Sequence, residues 1–127
     1  MSKNIGNTIY DRSINYYETD QMGIVHHSNY IRYFEEARLD MMEQVGLSYA
    51  AIEEHGLIIP VLSVACEYIK PVLFGEKVQI HTRLVKFDGI KMQFVYEIYC
   101  EGELRTKGES RHCFLDKEMK PVRMKRQ

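Results

Sequence analysis

Charge of one sign is what this sequence most plainly lacks. Its 17 Lys and Arg against 18 Asp and Glu leave a formal net charge of -1, which excludes a broad electrostatic grip on nucleic acid or anionic membrane. No apolar run approaches the roughly 20 residues that a membrane helix needs, so no membrane span is expected. The first residues, MSKNIGNTIYDRS, contain no apolar stretch of the kind that directs export, and a cytoplasmic location is expected. Cysteine is scarce and odd in number. Cys66, Cys100 and Cys113 lie far apart inside apolar runs, a pattern of buried reduced thiols rather than of a disulfide framework or a zinc site. There is no repeat, low-complexity segment or linker, and 127 residues make one domain able to bury a core of its own.

What is present is organised around Tyr16 to Gly46, YYETDQMGIVHHSNYIRYFEEARLDMMEQVG. Thr8 to Tyr17 alternates in part, and reads as a first strand. Thr19 to His27 is loop, with Gly23 supplying backbone freedom at a turn. Ser28 or Asn29 can cap the helix that follows, from about Asn29 to Gln44. Tyr30, Phe34, Ala37, Met41 and Val45 fall on one face at helical spacing, widened by Tyr33 and Met42. Arg32 and Glu36 are spaced for an i,i+4 pair, and Gly46 suits a left-handed stop. A short helix, Ser48 to His55, ends the same way at Gly56.

Strands follow. Leu57 to Ile69 is strongly apolar, Glu76 to Phe87 alternates, Asp88-Gly89 signals a hairpin into Lys91 to Cys100, and Leu104 to Leu115 closes the series. Consecutive hairpins build an antiparallel sheet with one apolar helix to cover a face of it, an α+β domain. One helix cannot cover both faces of five strands, so a homo-oligomer is expected.

The loop gathers Glu18, Asp20, His26 and His27. A helix N-terminus offers unpaired N–H groups and partial positive charge, suited to a developing oxyanion. A carboxylate beside it can attack an acyl carbon or activate a water, and a thioester is the easiest target because thiolate leaves well. The same residues also read as an ordinary helix start with a dipole-favoured Asp20 and solvent-facing histidines. A zinc site from the four matches no standard ligand spacing.

The run Asp20 to Tyr30 (DQMGIVHHSNY), followed by Phe34-Glu35-Glu36-Ala37-Arg38, resembles the signature of the hotdog-fold thioesterases, in particular the 4-hydroxybenzoyl-CoA thioesterase family and its acyl-CoA thioester hydrolase relatives. Glu67-Tyr68-Ile69-Lys70-Pro71, Phe74-Gly75-Glu76 and the final Cys113-Phe114-Leu115-Asp116 also resemble that family. The resemblance implies a five-stranded antiparallel sheet wrapped around one long helix, dimers whose sheets join edge to edge, and in many members a dimer of dimers, a homotetramer. It implies an acyl-CoA substrate and no cofactor beyond coenzyme A itself. Asp20 matches the catalytic carboxylate, nucleophile or general base. His27 matches the position whose backbone N–H polarises the thioester carbonyl, with Gly23 shaping the loop, at a site shared between subunits. Tyr30, Tyr33 and Phe34 are candidates for an acyl pocket, while the aromatic and Met residues of the helix also read as core. Lys91 matches a region used for coenzyme A phosphates, with Lys120, Arg123, Lys125 and Arg126 as alternatives. The chain departs from many relatives in Glu18-Thr19-Asp20 for Asp-Thr-Asp, in His26-His27 for Tyr-His, and in Gln21-Met22 for smaller residues. An acyl-thioester hydratase or dehydratase, and an acyl-CoA-binding domain without turnover, are the rival functions.

Overall fold

The computed structural model describes residues 6–46 and 49–123. Its elements run β1 (Gly6–Ser13), a 3₁₀ turn (Tyr16–Glu18), α1 (Ser28–Gln44), α2 (Tyr49–Glu54), β2 (Val61–Tyr68), β3 (Lys77–Phe87), β4 (Lys91–Cys100) and β5 (Glu103–Cys113). The five strands form one antiparallel sheet in the order β1-β3-β4-β5-β2. The first strand is shorter than its alternation suggests. Ile14 turns into the core, and the Glu18 carboxylate takes the Asn15 backbone N–H, which starts the 3₁₀ turn instead of prolonging the strand. Leu47 and Ser48, where the short helix was expected to begin, lie outside the described residues, as do Lys125 and Arg126.

Helix α1 lies in the curve of the sheet. Tyr30, Tyr33, Phe34, Ala37, Met41 and Met42 are buried against Val78, Ile80 and Leu84 of β3 and Met92, Phe94, Tyr96 and Ile98 of β4. The Phe34 ring stacks on Tyr96 at 4.5 Å. Gly108 of β5 permits this: a Cβ there would stand 2.3 Å from the Phe34 ring. Burying one such aromatic contributes roughly 2–3 kcal/mol. Val45 does not join the stripe, because it follows the last helical turn and is exposed. Nor does Arg32 pair with Glu36, whose carboxylate is taken by Arg12 and Tyr10 of β1.

Two features follow from one helix serving five strands. Strand β2 is an edge whose Val61 and Leu62 are 53% and 54% exposed. On the inner face a polar chain is sealed in: Tyr96 OH meets Ser110 Oγ at 2.6 Å, Ser110 Oγ meets His112 Nε2 at 2.7 Å, and Arg38 stands 3.4 Å from that nitrogen. The cysteines are free, Cys100 and Cys113 buried and Cys66 half-buried. No described helix is long and apolar enough to cross a membrane.

Burial, and then the Arg38 charge, push the His112 imidazole down to about 4 from an ordinary 6.5, with the Pro60 carbonyl opposing the shift. The unfolded chain therefore binds a proton that the folded ring refuses, so stability should fall as pH drops from 6.5 toward 4. The loss should reach about 3 kcal/mol. Denaturant titrations across that range should show it, and His112→Leu should remove this part of the slope.

Candidate active site

The loop between β1 and α1 is built almost wholly from backbone hydrogen bonds. Gly23 takes a positive φ of 78° and closes a turn by donating its N–H to the Asp20 carbonyl at 3.0 Å. Thr19 bridges Val25, Ile24 bridges Leu73, and Val25 N–H donates to the Val72 carbonyl at 2.8 Å. Phe74 N–H reaches the Gly23 carbonyl at 3.0 Å. The chain leading out of β2 thus holds the loop from one side.

Glu18 holds it from the other. It is 4% exposed, and its Oε1 accepts from Arg12 Nη1 at 2.6 Å and from Asn15 N–H at 2.9 Å. Arg12 also forks onto Glu36 and lies 4.5 Å above the Tyr33 ring. The Glu18 carbonyl accepts from His26 N–H at 2.9 Å and from Asn29 Nδ2 at 3.0 Å. Burial alone would raise this carboxyl, but the bonds from Arg12 and Asn15 and the Arg12 charge prevail and hold it below its usual range.

Asp20 is exposed, and its Oδ1 accepts from the N–H groups of Met22 at 2.8 Å and Ile24 at 3.3 Å. The second oxygen has no partner among the described residues. The helix is not capped by Ser28 or Asn29. Its N-cap is His27, without a side-chain cap bond. Ser28 is engaged by His26 Nδ1 instead, and Asn29 by Glu18. Asn29 N–H donates to the His26 carbonyl and Tyr30 N–H to the His27 carbonyl, while the His27 N–H meets no acceptor among the described residues. An unpaired amide at a helix start is a ready oxyanion donor.

Asp20, Ile24, Val25, His26, His27 and Tyr30 line a cleft of about 340 Å³, closed on the far side by Tyr68, Ile69, Lys70 and Pro71. The structure therefore brings Asp20, His26, His27 and Tyr30 together. Glu18 is turned away onto Arg12, and no group of three or more metal-binding side chains occurs among the described residues. Tyr33 and Phe34, expected in the acyl pocket, are core residues, 0% and 1% exposed. Lys91 lines a different cavity of about 640 Å³, beside Lys86 and Arg111 and the opposite end of β2. Arg123 is bound to the Asp88 carbonyl.

Sequence reasoning missed Tyr68 and Lys70 as cleft residues. Tyr68 packs 5.0 Å from Tyr30, and burial, with the Cys66 thiol beside it, pushes its phenol up to about 12. Lys70 Nζ, the cation of this cleft, is held by Glu103 at 2.6 Å. The signal was the Tyr-Ile-Lys-Pro ending of the apolar strand, where Pro71 stops pairing and sends the chain across to the loop.

Replacing Glu18 by Gln should cost roughly 1–3 kcal/mol at neutral pH, since a buried Arg12 bond loses its charge. The contribution is fully present above the unfolded carboxyl value of about 4.3 and fades as pH falls through the lower folded value. Unfolding curves of wild type and Glu18→Gln should therefore converge in acid.

Residues 14–126 match the family described as the thioesterase-like superfamily. A Bacillus subtilis relative named "Putative acyl-CoA thioesterase YneP" is 37% identical over 115 residues, covering 89% of this chain and 83% of its own. The solved DHNA-CoA thioesterase from Staphylococcus aureus superposes with a TM-score of 0.87 at 37% identity, over 92% of this chain and 80% of that one. A hypothetical protein from Aquifex aeolicus gives 0.88 at 36% identity, over 93% of both chains. With the sheet wrapped around α1 and these matches spanning nearly the whole chain, the chain belongs to the thioesterase-like superfamily and is a hotdog-fold thioester hydrolase.

Proposed function

We propose that the protein hydrolyses an acyl-CoA thioester to the free acid and coenzyme A, with Asp20 as the reacting carboxylate. One observation carries the reading: a carboxylate with one oxygen unengaged and a backbone N–H without an acceptor line the same cleft. Asp20 either adds to the acyl carbon or removes a proton from the water that does. The His27 N–H receives the charge that develops on the thioester oxygen, an interaction worth about 3 kcal/mol. The names of the Bacillus and Staphylococcus relatives support coenzyme A as the carrier.

The cleft opens along Tyr68 and Ile69, the exposed end of edge strand β2. A second copy paired along β2 in a homodimer, alone or within a dimer of dimers, would cover these residues and close the acyl pocket. Lys70, at the cleft, and the Lys86–Lys91–Arg111 group, brought near by antiparallel β2 pairing, would then meet the phosphates of coenzyme A.

Free thiol released from a panel of acyl-CoAs should appear with the wild type and drop by about 10²–10⁴-fold in Asp20→Asn. An unchanged rate in that variant, or no release from any acyl-CoA, would sink the reading. Sedimentation should show a dimer or larger assembly, and Leu62→Glu, a charge on the exposed edge, should shift it toward monomer with loss of turnover.

A further inference from the structure

We propose that His26 acts on the substrate as a fixed neutral donor: its Nε2–H is the second hydrogen bond to the thioester oxygen, beside the His27 backbone N–H. This rests on the thioester-hydrolysis reading and adds a residue to it. The contacts of the ring assign its tautomer. Nδ1 accepts the Ser28 backbone N–H at 3.2 Å and lies 2.9 Å from Ser28 Oγ. A ring nitrogen that accepts an N–H carries no proton, so the proton of a neutral imidazole is on Nε2. Nε2 has no partner among the described residues, and the ring is stacked on His27 with centroids 4.3 Å apart. Two Ser28 contacts and one stacked neighbour thus fix the ring while leaving its donor edge unengaged.

The cleft needs such a donor. A carbonyl oxygen that takes on charge can accept two hydrogen bonds, and the backbone supplies one. The N–H groups of Asp20, Val25 and His26 donate to the carbonyls of Ile24, Val72 and Glu18. Ile24 serves Asp20 Oδ1, Tyr30 serves His27, and Ile69 and Lys70 both serve Arg105. Pro71 has no N–H, and Tyr68, on edge strand β2, turns its own away from β5, so on the loop side of the cleft His27 is the backbone donor. Among the side chains, Lys70 is held by Glu103, the Tyr68 hydroxyl faces Cys66, and the Tyr30 hydroxyl lies against the Val72 N–H. Of the two imidazoles in the cleft, His26 is the one whose ring is oriented by hydrogen bonds among the described residues. The imidazole transfers no proton: it keeps its N–H and stabilises the oxyanion through a hydrogen bond, while Asp20, or the water it deprotonates, forms the C–O bond at the acyl carbon and the C–S bond breaks with its electron pair on sulfur.

The test uses two isosteric replacements and the same acyl-CoA assay. His26→Gln places an amide N–H where Nε2 was. His26→Asn keeps an acceptor where Nδ1 was, for Ser28, and removes the donor. The expected result is a kcat lowered about 10²–10³-fold in His26→Asn, with KM and melting temperature little changed, and most of kcat kept in His26→Gln. Nitrogen NMR of the histidine-labelled protein should show His26 protonated at Nε2 and bare at Nδ1. The reverse order, with Asn active and Gln impaired, would mean that His26 only braces the helix start and would overturn the proposal. So would equal kcat in both variants, or a proton on Nδ1. Wild-type turnover and its loss in Asp20→Asn, measured alongside, decide the hydrolysis reading independently of His26.

Discussion

The apolar face of one helix governs this fold. Tyr30, Tyr33, Phe34, Ala37, Met41 and Met42 cannot remain in water, and a sheet of five strands has to curve around them. The closest fit is at Phe34, which occupies the space that a side chain at position 108 would fill. Burying the helix this deeply fixes where its N-terminus emerges. It also dictates that the loop feeding it, Thr19 to His27, is held between the end of β1 and the chain leaving β2. The position of the site is thus a consequence of core packing before any catalytic residue is considered.

Within that constraint, charge is spent on geometry. Glu18 is a buried carboxylate whose oxygen fixes Arg12 and the Asn15 amide, and whose carbonyl fixes His26 and Asn29. A buried ion pair adds little net stability over an apolar replacement, because desolvation offsets the attraction. Its usefulness here is directional: four contacts converge on one residue two positions before Asp20. Glu18 and Asp20, which look like a pair in the sequence, therefore do different work. One is sealed and structural, the other exposed with an oxygen to offer.

The alternation of β3 and β4 and the helical stripe of α1 were legible because period alone decides which face is buried. The Asp20–Gly23 turn was legible too, since Gly23 supplies the φ that the turn requires. Tyr33 and Phe34 are buried in the core, the other reading of their stripe, and helical spacing cannot distinguish an aromatic facing a cleft from one facing the sheet. Phe34 is drawn inward by Tyr96 and the gap at Gly108, contacts 62 and 74 positions away in the chain. Similarly Arg32–Glu36 is favourable on an isolated helix, but Arg12 reaches Glu36 with a fork of two bonds and displaces it. Within one chain Lys91 lies in a different cavity from Asp20, at the opposite end of β2, which linear spacing could not show.

Ordinary loops satisfy their backbone, and where this one enters the helix it does so with one omission among the described residues. Each N–H from Val25 to Tyr30 finds an acceptor except that of His27. A free donor next to the partial positive charge of a helix start is costly to leave unmet, unless something arrives to meet it. Ser28 sharpens the point. As an N-cap its hydroxyl would have gone to a helical amide, yet it is turned to His26, and the N-cap position falls to a histidine with no cap bond. The sequence thereby gives up a common source of helix stability, typically about 1 kcal/mol, at a helix start that lines the same cleft as Asp20. Asp20 shows the complementary economy, one oxygen spent on Met22 and Ile24 and the other without a partner among the described residues, as the proposed role requires. Acceptor and donor are both held by bonds that do not use their working atoms, and that separation lets a small loop be rigid and reactive at once.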